Sequence, residues 1–154
     1  GPNPDGCRAG QDLAGHELMM QLAKYLYLGY FGGSMYVTFE VLWRGRSHWT
    51  MFLLAALLFL VIGGLNEIWT SWRLIPQAVA GAIIATAAEF AVGCVVNLWL
   101  GWGIWDYSDM PGNLMGQICP QFALLWVALS ALAIVLDDVI RWRFFGEERP
   151  HYTL

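Results

Sequence analysis

"MFLLAALLFLVIGG", residues 51–64, runs through fourteen positions without one charged or strongly polar side chain. A stretch so uniformly apolar offers no polar face to water, and it shows no alternation that would suit a barrel strand. Extended from about Thr50 to Trp69 it reaches about 20 residues, enough at 1.5 Å per residue to cross a hydrocarbon layer of about 30 Å. It reads as a membrane span, and the rest of the chain has to be read around it.

Three further blocks flank it. Upstream, residues from about Leu22 to Leu42 form a first span, bounded by Lys24 and by the basic turn "RGRSH" with Arg44, Arg46 and His48. Downstream, a third begins near Ile75 and Pro76, where proline suits a first helical turn, and continues to Leu98 or Leu100. A fourth, about Gln117 to Ile140, opens with Pro120 and closes on Asp137, Asp138 and Arg141. Short connections make neighbouring helices antiparallel. The expected fold is all-α: an integral membrane up-down bundle of four transmembrane helices, with an interfacial aromatic loop between helices 3 and 4. Residues 18–142 make the bundle, between a polar N-terminal tail (1–17) and a polar C-terminal tail (143–154). Gly1-Pro2 reads as the scar of a cleaved tag, and residues 1–17 hold no apolar signal-peptide core.

Composition agrees with the spans. Of 154 residues 58% are hydrophobic and 13% charged, about half the charged share of a soluble domain. Nine tryptophans and six tyrosines suit the membrane–water interface, where an aromatic body with a polar handle is favoured. A net charge of -4 is too small to imply a nucleic-acid partner. Cys7, Cys94 and Cys119 have neither disulfide nor zinc spacing and no metal site is expected, while the sequence leaves any cofactor unknown. With both termini cytoplasmic, Arg8, Lys24, Arg73, Arg141, Arg143 and Arg149 lie inside and only Arg44 and Arg46 outside, which the positive-inside rule favours.

Lipid offers no hydrophobic gain for helix association, so small residues must let backbones approach. Gly29 and Gly33 stand four apart in the first span, and Gly81, Ala85 and Glu89 form one stripe of the third. The last of these is ionisable, and at the membrane centre such a group costs about 2.5–3.5 kcal/mol on insertion scales. Glu89 lies nine residues before Leu98, about 13 Å from that end. Glu40 follows Gly32 and Tyr36 on a stripe of the first span, and Glu67 follows Asn66 near the end of the second. Because the first and third spans run the same way, Glu40, Glu89 and Asn97 share one half of the membrane. Arg44, Arg46, His48 and the 99–117 connection, with Asp106, Asp109, Asn113 and Gln117, emerge on that side. The connection, "WLGWGIWDYSDMPGN" in residues 99–113, is expected to fold as an interfacial lid. Its tryptophans would rest at headgroup depth, with Asp, Asn and Gln groups pointing at a polar cavity that holds Glu40 and Glu89. No phosphate-binding loop, HExxH or nucleophile elbow is present.

The segment Glu89–Cys119, with Asn97, the Trp105-Asp106-Tyr107-Ser108 run, Pro111, Asn113, Gly116, Gln117 and Ile118, resembles a family of small bacterial membrane proteins. That family is known as putative ABC-transporter type IV, and the transmembrane protein 229 group is similar. With the Gly-rich first span ending in Glu40, the resemblance covers most of residues 25–140. It implies the four-span fold, a location in the bacterial inner membrane, a transport-related role and the importance of the Trp105–Gln117 loop. The expected ligand-binding set is Glu40, Glu89, Asn97, Trp105, Asp106, Tyr107, Asn113, Gln117, Arg44 and Arg46. The lipid bilayer is the expected partner, with further copies of the chain or other membrane subunits, and a small polar solute, a cation or a lipid headgroup as ligand. Two other readings stand beside transport: an intramembrane enzyme acting on a lipid or isoprenoid through its buried carboxyls, and a structural or assembly subunit of a larger membrane complex. An enzyme is the less expected of the roles.

Overall fold

The structure, a computed structural model, describes residues 4–65 and 73–152, and its regular elements are helices. Helix α1, Pro4–Arg44, is continuous over 41 residues. Pro4 suits the first turn, Asp5 faces the positive end of the helix dipole and Arg44 the negative end. Residues 5–17, within the expected polar N-terminal tail, are exposed and belong to the beginning of the first helix. Helix α2, Trp49–Gly63, starts at His48, whose Nδ1 accepts a 3.3 Å bond from the Thr50 N–H. Asn66 and Glu67, with the rest of the expected second span, lie outside the described residues.

Helix α3, Leu74–Gly93, passes into a π-helical segment, Cys94–Trp99. Helix α4, Pro120–Phe145, begins on its proline and ends at Gly146, whose φ of 67° is the left-handed geometry a C-terminal cap requires. Two stretches among the described residues are long and apolar enough to cross a membrane. They are Leu74–Trp99 and Pro120–Phe145, each 26 residues, with mean hydropathy 2.0 and 2.2.

The helices pack mainly as two pairs, α1 on α2 and α3 on α4, joined where α2 meets α4. Small residues set the spacing. A Cβ on Gly33 would stand 2.9 Å from the Phe52 carbonyl oxygen, so α1 and α2 approach backbone to backbone there. A Cβ on Gly81 would stand 2.9 Å from Ser130 Oγ, which fixes the α3–α4 contact in the same way. The two partners run in opposite directions: Gly81 meets Ser130, and Glu89, two turns on, meets Trp126, one turn back. The core is built from Met51, Leu54, Leu58 and Ile62 of α2, Ala85 of α3 and Ile134 of α4. Much of the outer surface is apolar as well: Leu26, Leu57, Ile83 and Leu124 all point outward.

Candidate functional site

The stripe Gly81–Ala85–Glu89 that brings α3 against α4 also buries Glu89, which is 4% exposed. Its carboxylate has a donor on each oxygen. Tyr107 Oη donates to Oε1 at 2.8 Å and Trp126 Nε1 to Oε2 at 3.0 Å. One donor belongs to the loop and the other to α4, so Glu89 joins three parts of the chain. Each donor is itself held flat by an aromatic neighbour. Tyr107 stacks on Phe122 with centroids 4.8 Å apart, and Trp126 lies nearly parallel to Tyr36 at 6.1 Å. Burial and then the Glu89 charge raise the Tyr107 hydroxyl above the ordinary phenol range, so it remains a donor.

Tyr36 connects this cluster to the other expected acid. Its hydroxyl lies within electrostatic reach of both Glu40 and Glu89. Glu40, one turn later on α1, is buried and faces Arg44, whose Nη1 is 3.5 Å from its Oε1. Arg44 Nη2 also donates to the Ile104 carbonyl at 3.1 Å, and Arg46 adds a positive charge near the same carboxyl. Glu40 and Arg44 on α1, Glu89 on α3, and Arg46 and Tyr107 in the connections thus lie toward one end of the bundle.

Asn97 and Gln117 come together too, but they face each other. Asn97 Nδ2 donates to Gln117 Oε1 at 2.8 Å, and Asn97 Oδ1 accepts from the Ile104 N–H at 2.7 Å. Asn97 lies within the π-helical turn, a wider winding that often marks functional sites. Gly93 makes room beside it: a Cβ there would stand 2.6 Å from Gln117 Oε1. Trp105 is buried, with Nε1 donating to the Gln117 carbonyl at 3.0 Å, whereas Trp99 and Trp102 point outward. The loop's tryptophans thus divide, and Trp105 joins the core where the headgroup zone was expected, because its N–H finds a buried acceptor.

Asp106 and Asn113 sit differently from the expectation. Asp106 is exposed and closes a local turn, accepting from the Ser108 N–H at 2.9 Å and from the Ser108 hydroxyl. These two donors hold its carboxyl below the ordinary carboxylate range. Asn113 donates to the Met110 carbonyl at 2.9 Å and accepts from the Gly116 N–H at 3.0 Å. Both side chains are spent shaping the loop, since a two-residue spacing lets Asp reach a backbone N–H more cheaply than it can reach another helix. The cavity beside the Glu89 cluster is apolar rather than polar. It is a half-open crevice of about 70 Å³ between α1 and α4, floored by α2, with the Tyr36–Trp126 stack at one end.

A second buried polar cluster occupies the other end of the bundle. Arg141 Nε is 2.8 Å from Asp137 Oδ2, Tyr152 donates to Asp138, and Lys24 Nζ pairs with Glu147 at 2.9 Å. A Cβ on Gly63 would stand 2.7 Å from Asp137 Oδ1, so glycine is what admits this carboxyl between α2 and α4. Asp137, Asp138 and Arg141 read as the boundary of a span in the sequence. Their four-residue acid–base spacing was the signal that the helix continues, and it does so to Phe145. Trp126 and Tyr36 were likewise unassigned. Tyr36 shares a stripe with Glu40, but nothing in the apolar run 122–129 of α4 singles out Trp126.

Two helices long and apolar enough to cross a membrane, with leucines and isoleucines facing outward, point to a helical membrane protein. The chain belongs to the family described as "Putative ABC-transporter type IV", which matches residues 31–146. No solved structure matches it.

Proposed function

We propose that the chain crosses the bacterial inner membrane four times, with both termini cytoplasmic, and serves as a transport-related subunit, permease-like or ligand-binding. Its intramembrane site centres on Glu89 beneath the 100–119 loop. The observation that supports this reading most is the divided hold on Glu89: one donor on the loop, one on the bundle. A carboxylate fully bonded in this way is a closed state. Lifting the loop withdraws Tyr107 and leaves one oxygen of a buried carboxylate without a donor, which costs about 1–3 kcal/mol unless a ligand replaces it. A cation or a solute carrying an N–H or O–H group meets that need, and Glu40 with Arg44 lies one aromatic ring away at Tyr36. A bundle this small fits a role as one subunit of a larger assembly, formed with copies of itself or with other membrane chains.

Uptake or ligand retention by vesicles containing the full chain tests the reading. Glu89→Gln keeps the size of the side chain but removes the charge, and it abolishes the activity while the protein still inserts and folds. Activity equal to that of the unaltered chain would leave Glu89 as interhelical glue, and the assembly-subunit role would replace this one.

A further inference from the structure

The crevice between α1 and α4 is not absorbed by the Glu89 site, and its chemistry is different. Gly32, Met35 and Phe39 form one wall, Leu129, Ala133 and Leu136 the other. Along α4 the lining runs from Trp126 to Leu136, ten residues or about 15 Å at the helical rise, which is half of a hydrocarbon layer of about 30 Å. It is therefore one leaflet deep. Phe39 and Leu132, on opposite lips, are 46% and 42% exposed, so the crevice opens on the apolar outer surface. At the Phe39 end the same helix carries Arg44, five residues further on, with Arg46 just beyond it. Arg44 spends one donor on the Ile104 carbonyl and a long 3.5 Å contact on Glu40. A guanidinium has five N–H donors, so capacity for a phosphate remains.

We infer that this crevice seats one acyl chain of an anionic phospholipid, with Arg44 and Arg46 holding its phosphate. Continuity with the lipid-facing surface supplies the chain, and the two arginines at the depth where a headgroup lies choose its charge. The bound chain lies against the Tyr36–Trp126 stack and so stiffens the pair that supports Glu89. The inference rests on the four-span reading given above.

Native mass spectrometry of the full chain, released from micelles containing equal phosphatidylglycerol and phosphatidylcholine, tests it. The unaltered chain retains phosphatidylglycerol preferentially, by about fivefold for each arginine engaged. Arg46→Gln, at an exposed position, reduces that preference by about fivefold. Ala133→Phe places a ring in the crevice and lowers retention of phosphatidylglycerol itself. Equal retention of the two lipids by the unaltered chain overturns the inference, and so does unchanged retention in a normally helical Ala133→Phe protein. Should the added ring disturb packing, the Arg46→Gln comparison still decides the matter. A chain that alkaline carbonate strips from vesicles would overturn the four-span reading together with this one. A chain that stays inserted but shows no lipid preference overturns this one alone.

Discussion

Trp126 Nε1 donates to Glu89 Oε2 at 3.0 Å, joining two helices through a group that neither could bury alone. The indole N–H needs an acceptor and the carboxylate needs donors, and α3 and α4 meet closely enough for each to serve the other. Interhelical hydrogen bonds within membranes average about 0.6 kcal/mol and reach about 1.7. An ionised acceptor belongs at the upper end of that range. A double-mutant cycle with Glu89→Gln and Trp126→Phe should give a coupling of about 1–2 kcal/mol in detergent unfolding. A coupling near zero would mean that the bond adds nothing to helix association.

Gly93 leaves space where the third helix, the loop and Gln117 converge. Since a Cβ would sit 2.6 Å from Gln117 Oε1, Gly93→Ala must push the amide off Asn97. Overpacking of this kind costs about 1–3 kcal/mol. The loss falls on the loop, so proteolysis near Pro111-Gly112 should accelerate. Gly15→Ala is the control: a Cβ there meets nothing within 4 Å, and it should leave cleavage unchanged.

The Asp137–Arg141 pair is almost completely enclosed. Breaking a buried pair by removing one partner typically costs about 3–5 kcal/mol, because the remaining charge stays buried. Asp137→Ala should therefore lower the thermal midpoint in detergent far more than Asp109→Ala, which alters an exposed carboxylate. Similar midpoints for the two variants would show that water reaches Arg141.

These outcomes also show which contacts were open to sequence reasoning. Gly81, Ala85 and Glu89 follow one another at four-residue spacing, so their common face, and the burial of Glu89, follow from helical geometry. Trp126 does not stand out in the same way, because residues 122–129 of α4 are apolar throughout and no periodicity there marks the side that meets α3. Asp106 was misplaced for a different reason. Its partner, Ser108, is two residues away, and a local turn satisfied the carboxylate before any distant helix was involved. The fourth span, read to about Ile140 and closing on Asp137, Asp138 and Arg141, runs on to Phe145 because Arg141, one turn after Asp137, offsets its charge.

Asp106 provides a pH prediction with a definite sign. Its carboxyl is held below the ordinary range by the hydroxyl and N–H of Ser108, so its ionised form favours the folded turn. A lowered value gives a contribution that is full above the unfolded value and is lost as pH falls through the folded one. Protection of the Ser108 amide, taken relative to its intrinsic exchange rate at each pH, should therefore be full near neutrality and fall on acidification past the ordinary carboxylate range. Asp106→Asn should flatten that dependence. A Ser108 amide that exchanges with the same acid dependence in both proteins would remove Asp106 from the account of the turn.

The most direct test of the closed site is hydrogen exchange across residues 105–117 in the membrane-embedded chain, with and without Glu89→Gln. If Tyr107 latches the loop to Glu89, weakening a bond of about 1–1.5 kcal/mol should raise exchange there by about tenfold, while α2 is unaffected. Identical protection of the loop in the two proteins would contradict the latch, and with it the claim that Glu89 governs access to this end of the bundle.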